Sequence, residues 1–100
     1  MKPDWQRHVL ASSGYLELGM FNEAAQVLEE IESKEKTRNE VLGARVAVYI
    51  AAKKWDMAAA VASHLVKVDP QTAGWWISLA YALRRSEALK RPKPFGFGRK

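Results

Sequence analysis

Apolar residues recur along most of the chain at the three- and four-residue spacing of amphipathic helices. Leu28 and Ile31 belong to one such stripe, and Val46, Tyr49 and Ile50 belong to another. Alanine is abundant and runs of β-branched residues are short, which favours helix over strand. The pattern predicts an all-α fold. Its five helices are expected at about residues 4–17, 22–33, 38–52, 56–67 and 72–90.

Turn and cap signals separate these predicted helices. Gly19 follows the first helix, where a residue in the left-handed conformation is common. Asn22 and Asp56 stand at matching places near the start of the second and fourth helices, and each is predicted to cap its helix. The pair Asp69-Pro70 is expected to end the fourth helix and to open the fifth, because proline is tolerated in a first helical turn.

The chain repeats itself with a period of 34 residues. A fixed period of this size indicates stacked supersecondary units, and each period has room for two short helices. Residues of similar character stand one period apart at several places. These are Tyr15 and Tyr49, Phe21 and Trp55, Ala24 and Ala58, Ile31 and Leu65, and the series His8, Leu42 and Trp76.

This arrangement resembles the tetratricopeptide repeat (TPR) family, which uses a helix–turn–helix unit of this length. The matching residues of the first repeat are Ser12, Tyr15, Gly19, Phe21, Ala24 and Leu28; those of the second are Val46, Tyr49, Trp55, Ala58 and Pro70; those of the third are Trp76, Leu79 and Ala80. The departures from the family's motif are His8 and Leu42 for tryptophan, Lys53 for the turn glycine, Lys36 for a proline, and the small Ala62. The resemblance implies a TPR-like domain over residues 1–90, with repeats 5–38 and 39–72, a half repeat 73–90 and a basic tail 91–100.

The resemblance also implies an architecture and a function. The fold would be a right-handed stack of antiparallel helical hairpins, an α-α superhelix. The function would be that of a non-catalytic interaction module that binds a protein or peptide on its concave face. That face would carry Gln6, Val9, Ser13, Glu17, Glu40, Gly43, Ala47, Ile50, Ile77, Tyr81 and Arg84. One TPR subclass grips a C-terminal carboxylate with lysines and asparagines, and the corresponding places here hold Val9, Ser13, Ala44, Gly74 and Ser78, so we expect no such clamp.

The fifth predicted helix is apolar on most of its sides, as in AGWWISLAYALRR. A helix of this kind is expected to be covered by other residues. Self-association through Trp75, Trp76, Leu79 and Leu83, giving a homodimer, is one explanation. A longer parent array is a second, and folding back of Phe95 and Phe97 from the tail is a third. We favour the first two, because a segment rich in glycine and proline orders poorly by itself.

The amino-acid composition argues against several classes of protein function. Hydrophobic residues make up 48% of the chain, which fits a folded protein, and there is no cysteine. The absence of cysteine removes disulfides and thiolate chemistry and fits a reducing compartment, so the cytoplasm is the expected location. No apolar run approaches the roughly 18 residues that span a bilayer, and MKPDWQRHVL lacks the apolar segment of a signal peptide. We therefore expect neither membrane insertion nor a signal peptide.

The charge of +5 is concentrated at one end. Residues 84–100 hold seven basic residues and one acid, while the rest of the chain has a net charge of −1. An alternative function is therefore a small nucleic-acid-associated protein that uses this tail, with Phe95 and Phe97 stacking on bases. The interaction module is favoured, because the tail contains no known nucleic-acid-binding motif.

The two histidines give no support for an enzyme or a metal site. His8 and His64 lie in different repeats and have no ligand spacing around them, whereas a metal site needs several converging ligands. His8 is predicted to be a buried packing residue and His64 a surface residue. No catalytic constellation is visible, so no enzymatic activity, metal or cofactor is expected.

Overall fold

The computed structural model describes residues 4–90, with side chains from residue 5 to residue 88. The five α helices are α1 (Asp4–Glu17), α2 (Phe21–Glu29), α3 (Asn39–Ala51), α4 (Trp55–Val68) and α5 (Ala73–Lys90), and a 3-10 helix (Ser33–Glu35) lies between α2 and α3. The part of the chain that the structure describes contains no strand, so the predicted all-α fold of five helices is confirmed. None of these helices has the length and apolarity needed to cross a membrane. The tail 91–100, with Phe95 and Phe97, lies outside the described residues.

Helix packing follows the order of the chain. α1 packs on α2 and α3 packs on α4, and in each pair the connection is so short that the two helices form an antiparallel hairpin. α3 contacts both helices of the first hairpin, and α5 packs mainly on α4 with a smaller contact to α3. The predicted right-handed superhelix stays a prediction.

The 34-residue period has a counterpart in the backbone of the two hairpin turns. Gly19 and Lys53 both have positive φ, at 75° and 61°. The residue after each of them donates its backbone N–H to a tyrosine carbonyl, from Met20 to Tyr15 at 2.9 Å and from Lys54 to Tyr49 at 2.8 Å. The two tyrosines therefore occupy equivalent places, and Gly19 has the left-handed conformation that its position predicts.

The predicted caps are wrong. The N-cap residues of α2 and α4 are Met20 and Lys54, and neither makes a side-chain cap hydrogen bond. The left-handed residue turns the chain so sharply that the helix begins one residue earlier than expected. Asn22 and Asp56 consequently lie inside the first helical turn, beyond the cap position.

The predicted C-terminus of α2 is also wrong, because the helix ends at Glu29 and does not reach Ser33. Beyond it, the N–H groups of Glu30 and Ile31 bond three residues back, in the tighter 3-10 pattern. Glu29, Glu30 and Glu32 crowd this end, where the helix dipole disfavours negative charge. α4 has 14 residues where α2 has 9, and a basic residue, Lys67, lies in its last turn.

Two apolar clusters form the core, and α3 contributes to both. The first cluster consists of Trp5, Ala24, Leu28, Ile31, Val41 and Val48. The second consists of Val46, Ala58, Ala59, Ala62, Leu65 and Ala82. α3 supplies Val41 and Val48 to one side and Val46 to the other, so the two hairpins share a helix in their cores. Burying a leucine such as Leu28 contributes about 2–3 kcal/mol.

Candidate partner-binding surface

One side of α5 faces the protein and the other faces solvent. Trp75, Leu79, Ala82 and Ser86 lie at the spacing of one helical stripe, and all four are buried or half-buried. Trp75 and Leu79 pack against the second core cluster. Of the four residues predicted for self-association, these two are therefore used inside the chain, while Trp76 and Leu83 are 49% and 46% exposed.

Trp75 joins α5 to α3. Its indole Nε1 donates to Asp69 Oδ2 at 3.0 Å, and its ring lies against Gly43 so closely that a Cβ there would stand 2.5 Å from the indole. Thr72 Oγ1 also donates to the same oxygen at 2.7 Å, and the hydrogen bonds from Thr72 and Trp75 lower the pKa of Asp69. Gly43 was predicted on the concave face, and in the structure the Trp75 ring covers it.

The predicted concave-face residues divide by exposure. Three of them are half-buried: Gly43 lies beneath Trp75, Val9 packs against the first cluster and Ile50 against the second. The exposed ones are Gln6, Ser13, Glu17, Glu40, Ala47, Ile77, Tyr81 and Arg84. The apolar part of this exposed set is concentrated on α5, where Ile77 is 68% and Tyr81 is 38% exposed.

A recess opens between the α3–α4 turn and α5. Ile50, Lys53, Trp55, Tyr81 and Arg85 line it, and its volume is about 450 Å³, within the ordinary range for ligand pockets. We call it the turn recess. Ile50 and Tyr81 are among the predicted contact residues, whereas Lys53 and Arg85 are not. The i, i+4 spacing of Tyr81 and Arg85 was the available signal, because it places both on one side of a helix.

Aromatic and cationic groups inside the turn recess contact one another. The Trp55 and Tyr81 rings meet edge to face, with centroids 5.7 Å apart and planes at 79°. The Arg85 guanidinium lies 5.6 Å from the Trp55 ring and 5.3 Å from the Tyr81 ring, and its Nη2 donates to Tyr81 Oη at 3.3 Å. Beside it, the Ser86 hydroxyl donates to Asp56 Oδ1 and holds α5 against α4. These contacts restrict the side chains before any ligand binds.

The salt bridges formed within residues 5–88 involve α1, α2, the α2–α3 connection and α3. Glu29 bonds Arg45 at 3.0 Å and Lys36 at 3.3 Å, which ties α2 to α3, and the Arg45 contact is the main reason that the pKa of Glu29 is lowered. The remaining salt bridges of the described residues also involve residues of α1, the α2–α3 connection and its flanks. Arg38 also stacks on Trp5, with 4.7 Å to the ring centre.

The two histidines lie on different helices, His8 on α1 and His64 on α4. His64 is exposed, as predicted, and His8 is half-buried with its Nε2 3.6 Å from Glu30 Oε1. The described residues contain no group of three or more His, Cys, Asp or Glu side chains that is arranged to hold a metal ion.

Comparison with protein-family models, with curated proteins and with solved structures finds no match to this chain. The TPR resemblance therefore depends on the residues and the period of the sequence, and it stays a prediction.

Proposed function

We propose that this chain is a non-catalytic protein–protein interaction module that binds a peptide or a partner protein through the exposed face of α5 and the adjoining turn recess. The observation that carries the proposal is the exposure of Ile77 and Tyr81, at 68% and 38%, on a helix whose opposite side is packed. Apolar side chains grouped on a surface mark contact sites for other molecules. The absence of cysteine favours a cytoplasmic setting.

The residue types on this face support protein binding. Tyrosine, tryptophan and arginine dominate the energetics of protein interfaces. The two aromatic residues bury large areas with few rotatable bonds, and arginine offers five N–H donors. Tyr81 and Arg85 are already held against Trp55, so a partner loses less conformational freedom in ordering them. An extended or helical segment is the size of ligand that such a surface accommodates.

A selection experiment tests the proposal. The full chain is immobilised and a random dodecapeptide phage library is selected against it, and the affinity of the recovered peptides is measured by fluorescence anisotropy. Ile77→Lys and Tyr81→Glu are expected to weaken binding by about tenfold or more, because each places a charge among apolar contacts. Ile50 is a poorer choice, because it packs against the core and its substitution would also test folding.

The matched control is Leu10→Lys on α1. Leu10 is 74% exposed, close to the value for Ile77, but it lies outside the predicted face. Its variant is expected to bind the recovered peptides with unchanged affinity. Failure to recover any specific peptide, or equal binding by all three variants, would contradict the proposal.

Self-association through α5 is a second candidate, favoured by the exposure of Trp76 and Leu83 on the same side of the helix. Light scattering across a range of concentrations is expected to approach twice the chain mass of 11.3 kDa if two copies pair there. Trp76→Ala is expected to return the mass to that of one chain. A single-chain mass at every concentration would remove this candidate. The nucleic-acid alternative depends on the tail at residues 91–100, outside the described residues, and we do not propose it.

A further inference from the structure

Two cations line the turn recess, and a third lies in the recess next to it. Lys53 and Arg85 line it, and Arg84 lines a neighbouring recess that shares Tyr81 and Arg85 with it. All three cations are exposed, and none takes part in a salt bridge formed within residues 5–88. Charges of one sign gathered around a recess raise the local concentration of ligands of the opposite sign. The recess is therefore electrostatically suited to an anion.

Arg85 is already oriented for an anionic ligand. Its guanidinium is held over the rings of Trp55 and Tyr81, and its hydrogen bond to Tyr81 uses one of five N–H donors. The planar edge of the group remains able to bond a carboxylate through two parallel N–H donors. A group that is fixed before binding loses less entropy when the ligand arrives.

The backbone of Lys53 has an uncommon conformation. Its φ of 61° places it in the left-handed region, and its backbone N–H donates to the Ile50 carbonyl at 3.0 Å. A lysine is an uncommon residue at such a place, because its Cβ crowds the backbone there. Gly19 holds the equivalent position in the first hairpin. In the second hairpin a strained residue, Lys53, places a cation beside the recess.

We infer that the turn recess binds an acidic peptide segment, whose side-chain carboxylates pair with Lys53, Arg84 and Arg85 and whose neighbouring apolar side chain contacts Ile50 and Tyr81. The inference rests on the proposed function and adds to it the chemistry of the partner. The volume of about 450 Å³ accommodates a few side chains of such a segment.

The contacts of Arg85 favour a carboxylate over a nucleobase. Binding of single-stranded nucleic acid relies on bases that stack on uncovered aromatic faces. Arg85 lies over the rings of both Trp55 and Tyr81, and the two rings are nearly perpendicular to each other, so they provide no shared stacking platform. The cation that covers them presents N–H donors instead.

The test compares the composition of selected peptides with that of the input library. The full chain is used to select a dodecapeptide library with amidated C-termini, so that only side-chain carboxylates contribute. Aspartate and glutamate are expected to be enriched about twofold or more in the recovered peptides, beside an apolar residue. The affinity of these peptides is expected to fall as the salt concentration rises, because solvent-exposed charges are screened.

A matched pair of charge reversals locates the site. Aspartate is among the residues that tolerate positive φ, so Lys53→Asp fits the turn, and circular dichroism verifies that both variants of the pair are folded. Lys67→Glu makes the same change of net charge near the other end of α4, about 18 Å along the helix from its first residue, Trp55. We expect Lys53→Asp to weaken binding of the recovered acidic peptides about tenfold or more and Lys67→Glu to change it less than about twofold.

Four other results of these experiments would contradict the inference of an acidic peptide ligand. Recovered peptides without an acidic excess that still lose affinity with Tyr81→Glu would overturn this inference and leave the proposed function standing. Recovery of no specific peptide would overturn both. Equal effects of Lys53→Asp and Lys67→Glu would show that net charge, and not the recess, attracts the peptides. Tighter binding of a single-stranded DNA oligonucleotide, lost in Lys53→Asp, would overturn the inference in favour of nucleic acid.

Discussion

The hairpins α1–α2 and α3–α4 share one turn geometry but place different residues where that geometry is most demanding. Met20 and Lys54, which follow the left-handed residue, have nearly identical backbone angles, with φ of −97° and −95° and ψ of 68° and 72°. Gly19 precedes one of them and Lys53 the other. The backbone is thus maintained by packing and by the tyrosine carbonyl hydrogen bonds, and it does not require glycine.

The two hairpins also differ in how each contacts the next element. Arg45 of α3 reaches back to Glu29 of α2 through a salt bridge. One period later, the place of Arg45 is taken by Leu79, which packs against an apolar cluster. The first junction is therefore partly ionic, whereas the second combines apolar packing with the hydrogen bonds to Asp56 and Asp69, so salt is expected to act mainly on the first.

Substitutions at one pair of equivalent core positions are expected to have the largest effect on the free energy of unfolding. Leu28 is 1% exposed, and its equivalent Ala62 is completely buried although it is smaller. Leu28→Ala is expected to lower the free energy of unfolding by about 2–5 kcal/mol, because it leaves a cavity. Ala62→Leu is expected to lower it by about 1–3 kcal/mol, because the second core is filled by other side chains. Urea unfolding measures both; a neutral Ala62→Leu would mean that the second core contains space.

Replacing glycine by alanine at two helical sites is expected to change the free energy of unfolding in opposite directions. Gly43→Ala should lower the free energy of unfolding by about 1–3 kcal/mol, since the new Cβ forces Trp75 to move and weakens its bond to Asp69. A Cβ at Gly14 meets nothing within 4 Å, so Gly14→Ala is expected to raise it by up to about 1 kcal/mol through helix propensity. Thermal unfolding checks the pair, and the same sign for both would contradict the contact of Trp75 with Gly43.

Ser12 and Val46 occupy equivalent buried places, at 1% and 2% exposure. The Ser12 hydroxyl has no hydrogen-bond partner among residues 5–88, and an unpaired hydroxyl is costly in a buried site. Ser12→Ala is therefore expected to raise the free energy of unfolding by about 1 kcal/mol, as judged by urea unfolding. The neighbouring exposed residue gives the control, because Ser13→Ala removes a hydroxyl that solvent already satisfies. A loss of stability in Ser12→Ala would indicate that the hydroxyl is bonded.

Substitutions at Gly19 and Lys53 test how much strain each hairpin turn carries. Lys53→Gly is expected to raise the free energy of unfolding by about 0.5–1 kcal/mol, since it removes the strain of a side chain at positive φ. Gly19→Ala is expected to lower it by about 1 kcal/mol for the same reason. Differential scanning fluorimetry gives the ranking through the melting temperature. If Lys53→Gly is destabilising, the lysine side chain contributes contacts that exceed its backbone strain.

The ionic junction is expected to give the smallest effect. The contacts with Arg45 and Lys36 hold the pKa of Glu29 below its ordinary 4.5, so their contribution is present above that value and is lost as the pH falls through the lowered pKa. The Glu29 side chain is 55% exposed, so the contribution is about 0.5 kcal/mol or less. Thermal unfolding of the parent and of Glu29→Gln is compared between about pH 7 and about pH 3. A stability difference that stays constant across this range would exclude the pairing as its source.

The prediction of the site was less complete than that of the fold. Tyr81 and Ile77 were predicted as contact residues and are exposed. Gly43 was predicted beside them, but the Trp75 ring covers it. Periodicity identifies which residues share a side of a helix, but it does not reveal how far a tryptophan reaches across to a neighbouring helix. Lys53 and Arg85 come together only because the α3–α4 turn lies beside α5.

The helices, their number and the place of both hairpin turns could be predicted from the sequence. Apolar spacing and Gly19 act within a few residues of the chain, and the second turn follows from the 34-residue period. The sequence also contains a signal for the end of α2, namely Glu29, Glu30 and Glu32. The apolar stripe continues past these residues to Ile31 and led to a longer predicted helix. The packing of the helices sets which side of α5 is covered, and it brings Trp55, Tyr81 and Arg85 together in one recess. Those outcomes depend on contacts between residues far apart in sequence, and their distances are set by the packing of whole helices.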